Sequence, residues 1–272
     1  MTALASRADG LETRIEDGLL IVTLNRPEVL NALTRAMTDE LRRIADAAET
    51  DPEVFALCLT GSGRAFCSGL DVALLAAAAE SGGASVRQFP EGEPPGLFVH
   101  LLRCSKPVLC ALNGVAAVGG FVLAMMCDLR FAAETASLTA GFSNRGLPAE
   151  HGTSWLLPRR IGTARALDFM WSSRKIGAAE AHGLGLVDYV VPAGTELDAA
   201  KAYAADLKAR CSPRAIAMIK QQVYGHLDLG FGDAVTDSFA RALDGLHHPD
   251  IGEGARAFME KRPPRFLPWT GA

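Results

Sequence analysis

The 272-residue chain lacks the features that mark secreted proteins, membrane proteins and nucleic-acid-binding proteins. No apolar run is long enough to span a bilayer, and the N-terminus lacks the basic, apolar and small-residue regions of a signal peptide. The formal net charge is −4, without a long basic run, so we expect neither nucleic acid nor an anionic membrane as the main partner. These absences predict a cytoplasmic protein.

The common cofactor and metal motifs are missing as well. The sequence has no G-x-G-x-x-G element, no P-loop, and no cluster of His, Cys and carboxylate residues with metal-ligand spacing. The cysteines include no C-x-x-C pair, and most of them lie within apolar runs. We therefore expect no metal site and six free thiols. These are Cys58, Cys67, Cys104, Cys110, Cys127 and Cys211.

The composition is that of a globular protein, with 49% hydrophobic and 21% charged residues, and the chain is long enough to bury a large core. Asp17-Gly18, between two short apolar segments, predicts a β-hairpin. Thr34 is an expected N-cap of a helix that runs to about Glu49. We further expect a helix at 71–79 and a loop beside the site at 80–96.

The periodicity changes near residue 195. Before this point strands and helices alternate, which predicts an α/β core over residues 1–195. After it the pattern is only helical, which predicts a separate C-terminal region over residues 196–272. The expected helices there are 196–210, 213–224, 233–246 and 251–260.

One stretch, KPVLCALNGVAAVGGFVLAMMCDLRF at 106–131, combines three elements around a possible site. Val108 to Leu112 is an apolar run typical of a buried strand. Gly119-Gly120 lets another backbone come close, and an apolar helix follows from Phe121 to Cys127. Free N–H groups at the start of this helix would favour partial negative charge. A tight packing turn would explain the same glycines.

This stretch also resembles a known family. NGxAxxGGxxLAMxCD, together with GSGRAFCSGLD at 61–71, resembles the signatures of the crotonase (enoyl-CoA hydratase/isomerase) family. Further matching pieces lie between Asn25-Arg26-Pro27 and Lys261-Arg262-Pro263-Pro264, so the resemblance covers nearly the whole chain. It implies an α/β spiral of strand-strand-helix units and a helical C-terminal region that builds trimers or pairs of trimers. Coenzyme A would be part of the substrate, and no separate cofactor would be needed.

The resemblance also implies a site for an acyl-CoA thioester. The backbone N–H groups of Ser68 and Gly119 match the positions of an oxyanion hole, which would hold the thioester oxygen of an enolate. Ser68 as a nucleophile is the alternative, although no G-x-S-x-G surrounds it. Four more residues match positions near coenzyme A, and for the two cations a solvated surface charge is the alternative. They are Arg26, Ala65, Leu70 and Lys261.

The catalytic acids are where this sequence departs from the family's hydratases. Those enzymes carry two glutamates, and Val122 and Phe142 stand at the matching positions here. The segment GLPAEHGT instead resembles the GLxxEGxT element of peroxisomal-type enoyl-CoA isomerases, which makes Glu150 the expected base. Glu150 as a carboxylate at the start of the following helix is the alternative. His151 is expected to be a hydrogen-bonding neighbour.

These residues predict an enzyme that moves the double bond of an enoyl-CoA between the β,γ and α,β positions by proton transfer. Two alternatives stay open at this point. The first is hydration of an enoyl-CoA by a departure from the two-glutamate mechanism. The second is a protein that binds acyl-CoA with little turnover, because the oxyanion donors are kept while both hydratase glutamates are absent.

Overall fold

The computed structural model describes residues 3–71, Glu80 and residues 96–271. The expected helix at 71–79 and the expected loop at 80–96 lie largely outside these residues. Within them the chain has a mixed α/β fold, as predicted. No helix in this part of the chain has the length and the apolar character that a membrane span requires.

Within the described residues the larger sheet has six strands. They are β1 (Leu11–Glu16), β2 (Leu19–Leu24), β3 (Ala56–Gly61), β5 (Val108–Leu112), β7 (Leu129–Ala133) and β10 (Tyr189–Val191). This is also their spatial order, and neighbours are parallel except in the hairpin of β1 and β2. Asp17 and Gly18 have φ values of 50° and 85°, as the favoured two-residue hairpin turn requires. The expected hairpin is therefore confirmed.

Three strands of the smaller sheet each follow a strand of the larger sheet in the chain. The strands of the smaller sheet, in spatial order, are β4 (Ala65–Cys67), β6 (Val115–Ala117), β8 (Ser137–Thr139) and β9 (Ile176–Gly177). The first three run parallel, and β9 is antiparallel to β8. The pairs β3–β4, β5–β6 and β7–β8 are consecutive in the chain, so each turn places one strand in each sheet. This is the spiral of strand-strand-helix units that the sequence predicts.

The first helix starts after Thr34, the residue that the sequence predicts as its N-cap. Thr34 Oγ1 accepts a hydrogen bond from the Met37 N–H at 3.2 Å, which satisfies a donor of the first turn. In chain order the helices are α1 (Arg35–Thr50), α2 (Val99–Arg103), α3 (Gly119–Met125), α4 (Thr153–Ile161), α5 (Thr163–Ser172), α6 (Ala178–Leu184), α7 (Glu196–Arg210), α8 (Pro213–Gly225), α9 (Phe231–Gly245) and α10 (Pro249–Glu260).

The main sheet is buried on both faces. On β2, Leu20, Val22 and Leu24 point into the larger apolar cluster, whereas Leu19 and Ile21 belong to a smaller one. The smaller cluster also contains two alanines of α7, so the first helix after residue 195 packs against the sheet. Division of the chain at residue 195 stays a prediction.

The last three helices differ from the core in what they expose. The regular elements from residue 196 onward are all helices in the described chain, as expected, yet several large apolar side chains there face solvent. Phe231 is 88% exposed and Phe258 is 86% exposed, values that are unusual for phenylalanine. The homotrimer or dimer of trimers stays a prediction.

Candidate active site

A corner of close backbone contacts joins the end of β4 to the start of α3. Gly69 has φ +111°, and a Cβ added there would lie 3.1 Å from the Ala117 carbonyl oxygen and 3.2 Å from the Gly119 nitrogen. A Cβ added to Gly119 would lie 3.4 Å from the Leu70 nitrogen. The N–H groups of residues 70 and 119 are therefore neighbours, at a spacing that only glycine at position 69 allows.

The next glycine fixes this corner to the smaller sheet. A Cβ on Gly120 would lie 2.1 Å from the Cys67 carbonyl oxygen, a distance at which no side chain fits. Val118, which precedes the helix, has φ 51° and ψ −115°, a conformation that β-branched residues rarely adopt. Strained backbone of this kind is typical of functional sites, where the surrounding packing holds it.

The hydrogen bonds of the corner correct one prediction. The Ser68 N–H donates to the Leu30 carbonyl at 3.0 Å, so it is not free to bind a substrate oxygen. The Leu33 N–H donates to the Gly69 carbonyl at 2.8 Å, which fixes the turn that follows. Within the described chain the N–H groups of Leu70 and Gly119 have no acceptor. The expected role of Ser68 is therefore wrong in this structure, because its N–H is already used.

Glu150 lies in the loop before α4, with its side chain partly buried. Burial raises the pKa of its carboxyl group. The carboxylate forms no hydrogen bond or ion pair with any residue that the structure describes. The N-cap of α4 is Gly152, and no side chain caps the helix. The alternative role of Glu150 as a helix cap is therefore wrong.

His151, the next residue, is a hydrogen-bonding neighbour as expected. Its Nδ1 accepts the Leu97 N–H at 3.4 Å, and its ring meets the Phe98 ring edge-on with centroids 6.1 Å apart. Burial lowers the pKa of His151, which keeps the imidazole neutral near physiological pH.

Comparisons with known proteins identify the relatives of this chain. A model of the enoyl-CoA hydratase/isomerase family matches residues 14–268. A probable enoyl-CoA hydratase from Rhodobacter capsulatus is 40% identical over 253 residues, which cover 93% of this chain and 95% of the relative. The 1,2-epoxyphenylacetyl-CoA isomerase of Escherichia coli is 34% identical over 266 residues, with 93% and 97% covered.

Solved structures show the same fold. The enoyl-CoA hydratase from Bacillus anthracis superposes with a TM-score of 0.86 at 27% identity, and the match covers 95% of this chain and 99% of that one. An enoyl-CoA hydratase from Mycobacterium marinum gives a TM-score of 0.85 at 32% identity, with 97% and 100% covered. The chain belongs to the enoyl-CoA hydratase/isomerase (crotonase) family. It is an enzyme of this superfamily.

The two positions that hold acids in the family's hydratases are apolar and buried here. Val122 lies on α3 and is fully buried, and Phe142 is 2% exposed. Neither side chain can hold or activate a water molecule. The role of Glu150 as the base stays a prediction.

The four residues expected near coenzyme A differ in their surroundings. Leu70 supplies one of the two free N–H groups, and Ala65 is buried in β4. The Arg26 guanidinium donates to the Ala32 carbonyl at 2.6 Å and to the Asp71 carboxylate at 3.2 Å, so its charge is already paired. Lys261 is exposed at the end of α10 and forms no ion pair within the described chain.

The described residues contain no group of three or more His, Cys, Asp or Glu side chains that could hold a metal ion. The six cysteines are free thiols, and all except Cys211 are buried. Burial raises the pKa of Cys67, the cysteine next to this backbone corner, to about 12. This thiol stays protonated at neutral pH and is a packing group rather than a nucleophile.

Proposed function

We propose that this enzyme moves the double bond of an enoyl-CoA between the β,γ and α,β positions, with Glu150 as the base. The observation that carries the proposal is the state of Glu150. Its carboxylate is partly buried, has no partner among the described residues and has a raised pKa. A group that must accept a proton from carbon and give it back needs these properties.

The oxyanion corner would stabilise the intermediate of this reaction. Removal of a proton next to the unsaturated system leaves a dienolate, whose negative charge gathers on the thioester oxygen. The N–H groups of Leu70 and Gly119 are the neighbouring free donors, and we assign both of them to this oxygen. Fixed donors aimed at a developing charge are a major source of catalysis in acyl-group chemistry.

The proton balance favours isomerisation over hydration. Glu150 removes one proton from one carbon and returns it to another, so the reaction needs neither water nor a second acid. Hydration requires a positioned water molecule, and Val122 and Phe142 supply no group to hold one. The relative from Escherichia coli is named as an isomerase of an acyl-CoA, which supports the same reaction class.

Hydration is the second candidate, since the relative from Rhodobacter capsulatus is named as a probable hydratase. An assay separates the two reactions. The purified enzyme is incubated separately with a 3-enoyl-CoA, a 2-enoyl-CoA and 1,2-epoxyphenylacetyl-CoA. The products are separated by liquid chromatography against standards of each isomer and weighed by mass spectrometry. An isomerase gives products of unchanged mass, whereas a hydratase adds the mass of one water to 2-enoyl-CoA. Binding of all three thioesters without product would support the binding protein instead.

The decisive variant is Glu150→Gln, which keeps the shape of the side chain and removes the base. We expect turnover of the preferred substrate to fall by roughly 10²–10⁴-fold, the contribution of a positioned base, while acyl-CoA still binds. Glu134→Gln is the matched control, because Glu134 is exposed just after β7. Normal isomerase turnover in Glu150→Gln would remove Glu150 as the base. A selective loss of hydration would favour the second candidate.

A further inference from the structure

The backbone of Glu150 is held although its side chain is not. The Glu150 carbonyl accepts two hydrogen bonds from Thr153, one from the backbone N–H at 3.0 Å and one from Oγ1 at 2.8 Å. Thr153 is fully buried at the start of α4. These bonds fix the loop on the side of α4. A carboxylate without partners can only be aimed by the backbone that carries it.

His151 holds the same loop from the other side. Its Nδ1 accepts the N–H of Leu97, a residue 54 positions earlier in the chain, and its ring packs on the fully buried Phe98. Leu97 and Phe98 lead directly into α2. With Nδ1 as the acceptor of this bond, a neutral ring would carry its proton on Nε2.

The loop has a backbone conformation that is unfavourable for His151. His151 has φ +51° and Gly152 has φ +81°, so two left-handed residues follow one another before α4. A residue with a side chain adopts this conformation at a cost, and histidine, asparagine and aspartate adopt it more often than others. The contacts of the imidazole with Leu97 and Phe98 are interactions that offset the cost.

We propose that His151 is a positioning residue for the catalytic base, and that it acts by tying the Glu150 loop to the Leu97–Phe98 segment through Nδ1. This proposal rests on the proposed role of Glu150. It assigns to His151 no proton transfer and no contact with the substrate. Loss of the tie leaves the carboxylate present but poorly aimed, and small displacements of a reacting group can lower the rate 10²-fold.

Two substitutions separate the tie from the backbone conformation. In His151→Asn, Oδ1 takes the place of Nδ1 as acceptor, and asparagine also adopts positive φ. In His151→Gly the positive φ is relaxed and the acceptor is gone. We expect kcat close to wild type for His151→Asn, and a kcat lower by roughly 10–10²-fold for His151→Gly with KM nearly unchanged.

The experiment includes a direct readout that does not depend on turnover. In the ¹⁵N-labelled enzyme, the His151 imidazole should show an unprotonated Nδ1 and a protonated Nε2, with the signal assigned by its loss in His151→Asn. A protonated Nδ1 would overturn the proposal even if His151→Gly failed to fold. Equal kcat in His151→Asn and His151→Gly would overturn it as well, since the acceptor would then not matter.

Glu150→Gln, measured in parallel, separates the positioning role of His151 from the proposed role of Glu150 as the base. If Glu150→Gln is inactive and folded His151→Gly is fully active, only the positioning role of His151 fails. If Glu150→Gln is fully active, the base assignment fails and the positioning role falls with it. Calorimetric titration with acyl-CoA should give the same affinity for every variant, as expected for a change in aim rather than in binding.

Discussion

The two halves of the site are built in opposite ways. The oxyanion corner is made of backbone atoms, and its glycines stand so close to their neighbours that a Cβ on Gly120 would reach 2.1 Å from the Cys67 carbonyl oxygen. The proposed base is one side chain on a partly buried loop, held by hydrogen bonds from Thr153 and to His151. Steric exclusion fixes the first half, whereas a few polar contacts fix the second.

This difference explains why the position of the carboxylate can change between related sequences while the backbone corner stays the same. A backbone N–H is the same in every residue except proline, so the corner depends on glycines that let the chain come close. The carboxylate can stand wherever a loop or helix brings it to the substrate. Here the two positions used by the family's hydratases are Val122 and Phe142, and the acid is at Glu150. In the proposed mechanism the corner holds the thioester oxygen, and the position of the base determines which reaction follows.

Among changes to the backbone corner, the largest effect is expected from Gly119→Val. The branched side chain would point at Gly69 and Leu70, where a Cβ alone already stands 3.4 Å from the Leu70 nitrogen. It would fill the space of the thioester oxygen or move the donor, so we expect turnover to fall by roughly 10²-fold or more.

Gly183→Val is the matched control for this variant. Gly183 lies on α6, where an added Cβ meets no atom within 4 Å. Its turnover should be close to wild type, with stability unchanged or slightly raised, because glycine is the poorer helix former. A folded Gly119→Val enzyme with full turnover would exclude residue 119 from the oxyanion hole.

Removal of a single backbone N–H tests whether Leu70 or Ser68 is the donor that works beside Gly119. Replacing the amide at residue 70 by an ester, through the α-hydroxy analogue of leucine, removes the N–H and keeps the side chain. We expect about 10²-fold lower turnover, the scale for loss of one oxyanion donor. The substitution also weakens the Gly69 carbonyl as acceptor for Leu33, so a matched ester is needed.

The ester at residue 68 provides this control. It removes the hydrogen bond to the Leu30 carbonyl and should cost about 1 kcal/mol of stability, with turnover close to wild type. Ser68→Ala should also be nearly neutral, because the Ser68 hydroxyl makes only a 3.4 Å contact with the Val29 carbonyl. If the ester at 68 abolished turnover and the one at 70 did not, the donor would be Ser68 after all.

Local signals account for what the sequence predicted well. The hairpin at Asp17-Gly18, the cap at Thr34 and the buried strand Val108–Leu112 depend on residues that are neighbours in the chain, and the structure confirms all three. The close approach at Gly119-Gly120 was also predicted, because neither residue carries a Cβ.

Contacts between distant segments account for what was missed. Whether Ser68 or Leu70 has the free N–H depends on the Leu30 carbonyl, which no motif in the Ser68 segment indicates. The one local hint was Gly69, since a glycine with positive φ reverses the direction in which the next N–H points. The hydrogen bond between His151 and Leu97 joins residues that are 54 positions apart. Neither segment contains a pattern that predicts this contact.

The smallest expected effect concerns the stability of the folded enzyme and tests the half of the site that contains Glu150. Burial raises the Glu150 pKa above its ordinary value of 4.5, so between these two values the folded enzyme binds more protons than the unfolded chain. Stability contributed by this group therefore falls as pH rises through that window, and at neutral pH the ionised carboxylate is a net cost.

Glu150→Gln should consequently raise Tm at neutral pH by a small amount while it abolishes turnover. The gain should shrink as pH falls and vanish below about 4.5, where the wild-type carboxyl group is protonated in both states. Thermal unfolding of wild type, Glu150→Gln and Glu134→Gln across this range measures the difference. A lower Tm for Glu150→Gln at neutral pH would mean that the carboxylate makes a stabilising contact in the folded enzyme. The base would then not be free to take a proton from the substrate, and the contrast between the two halves would fail.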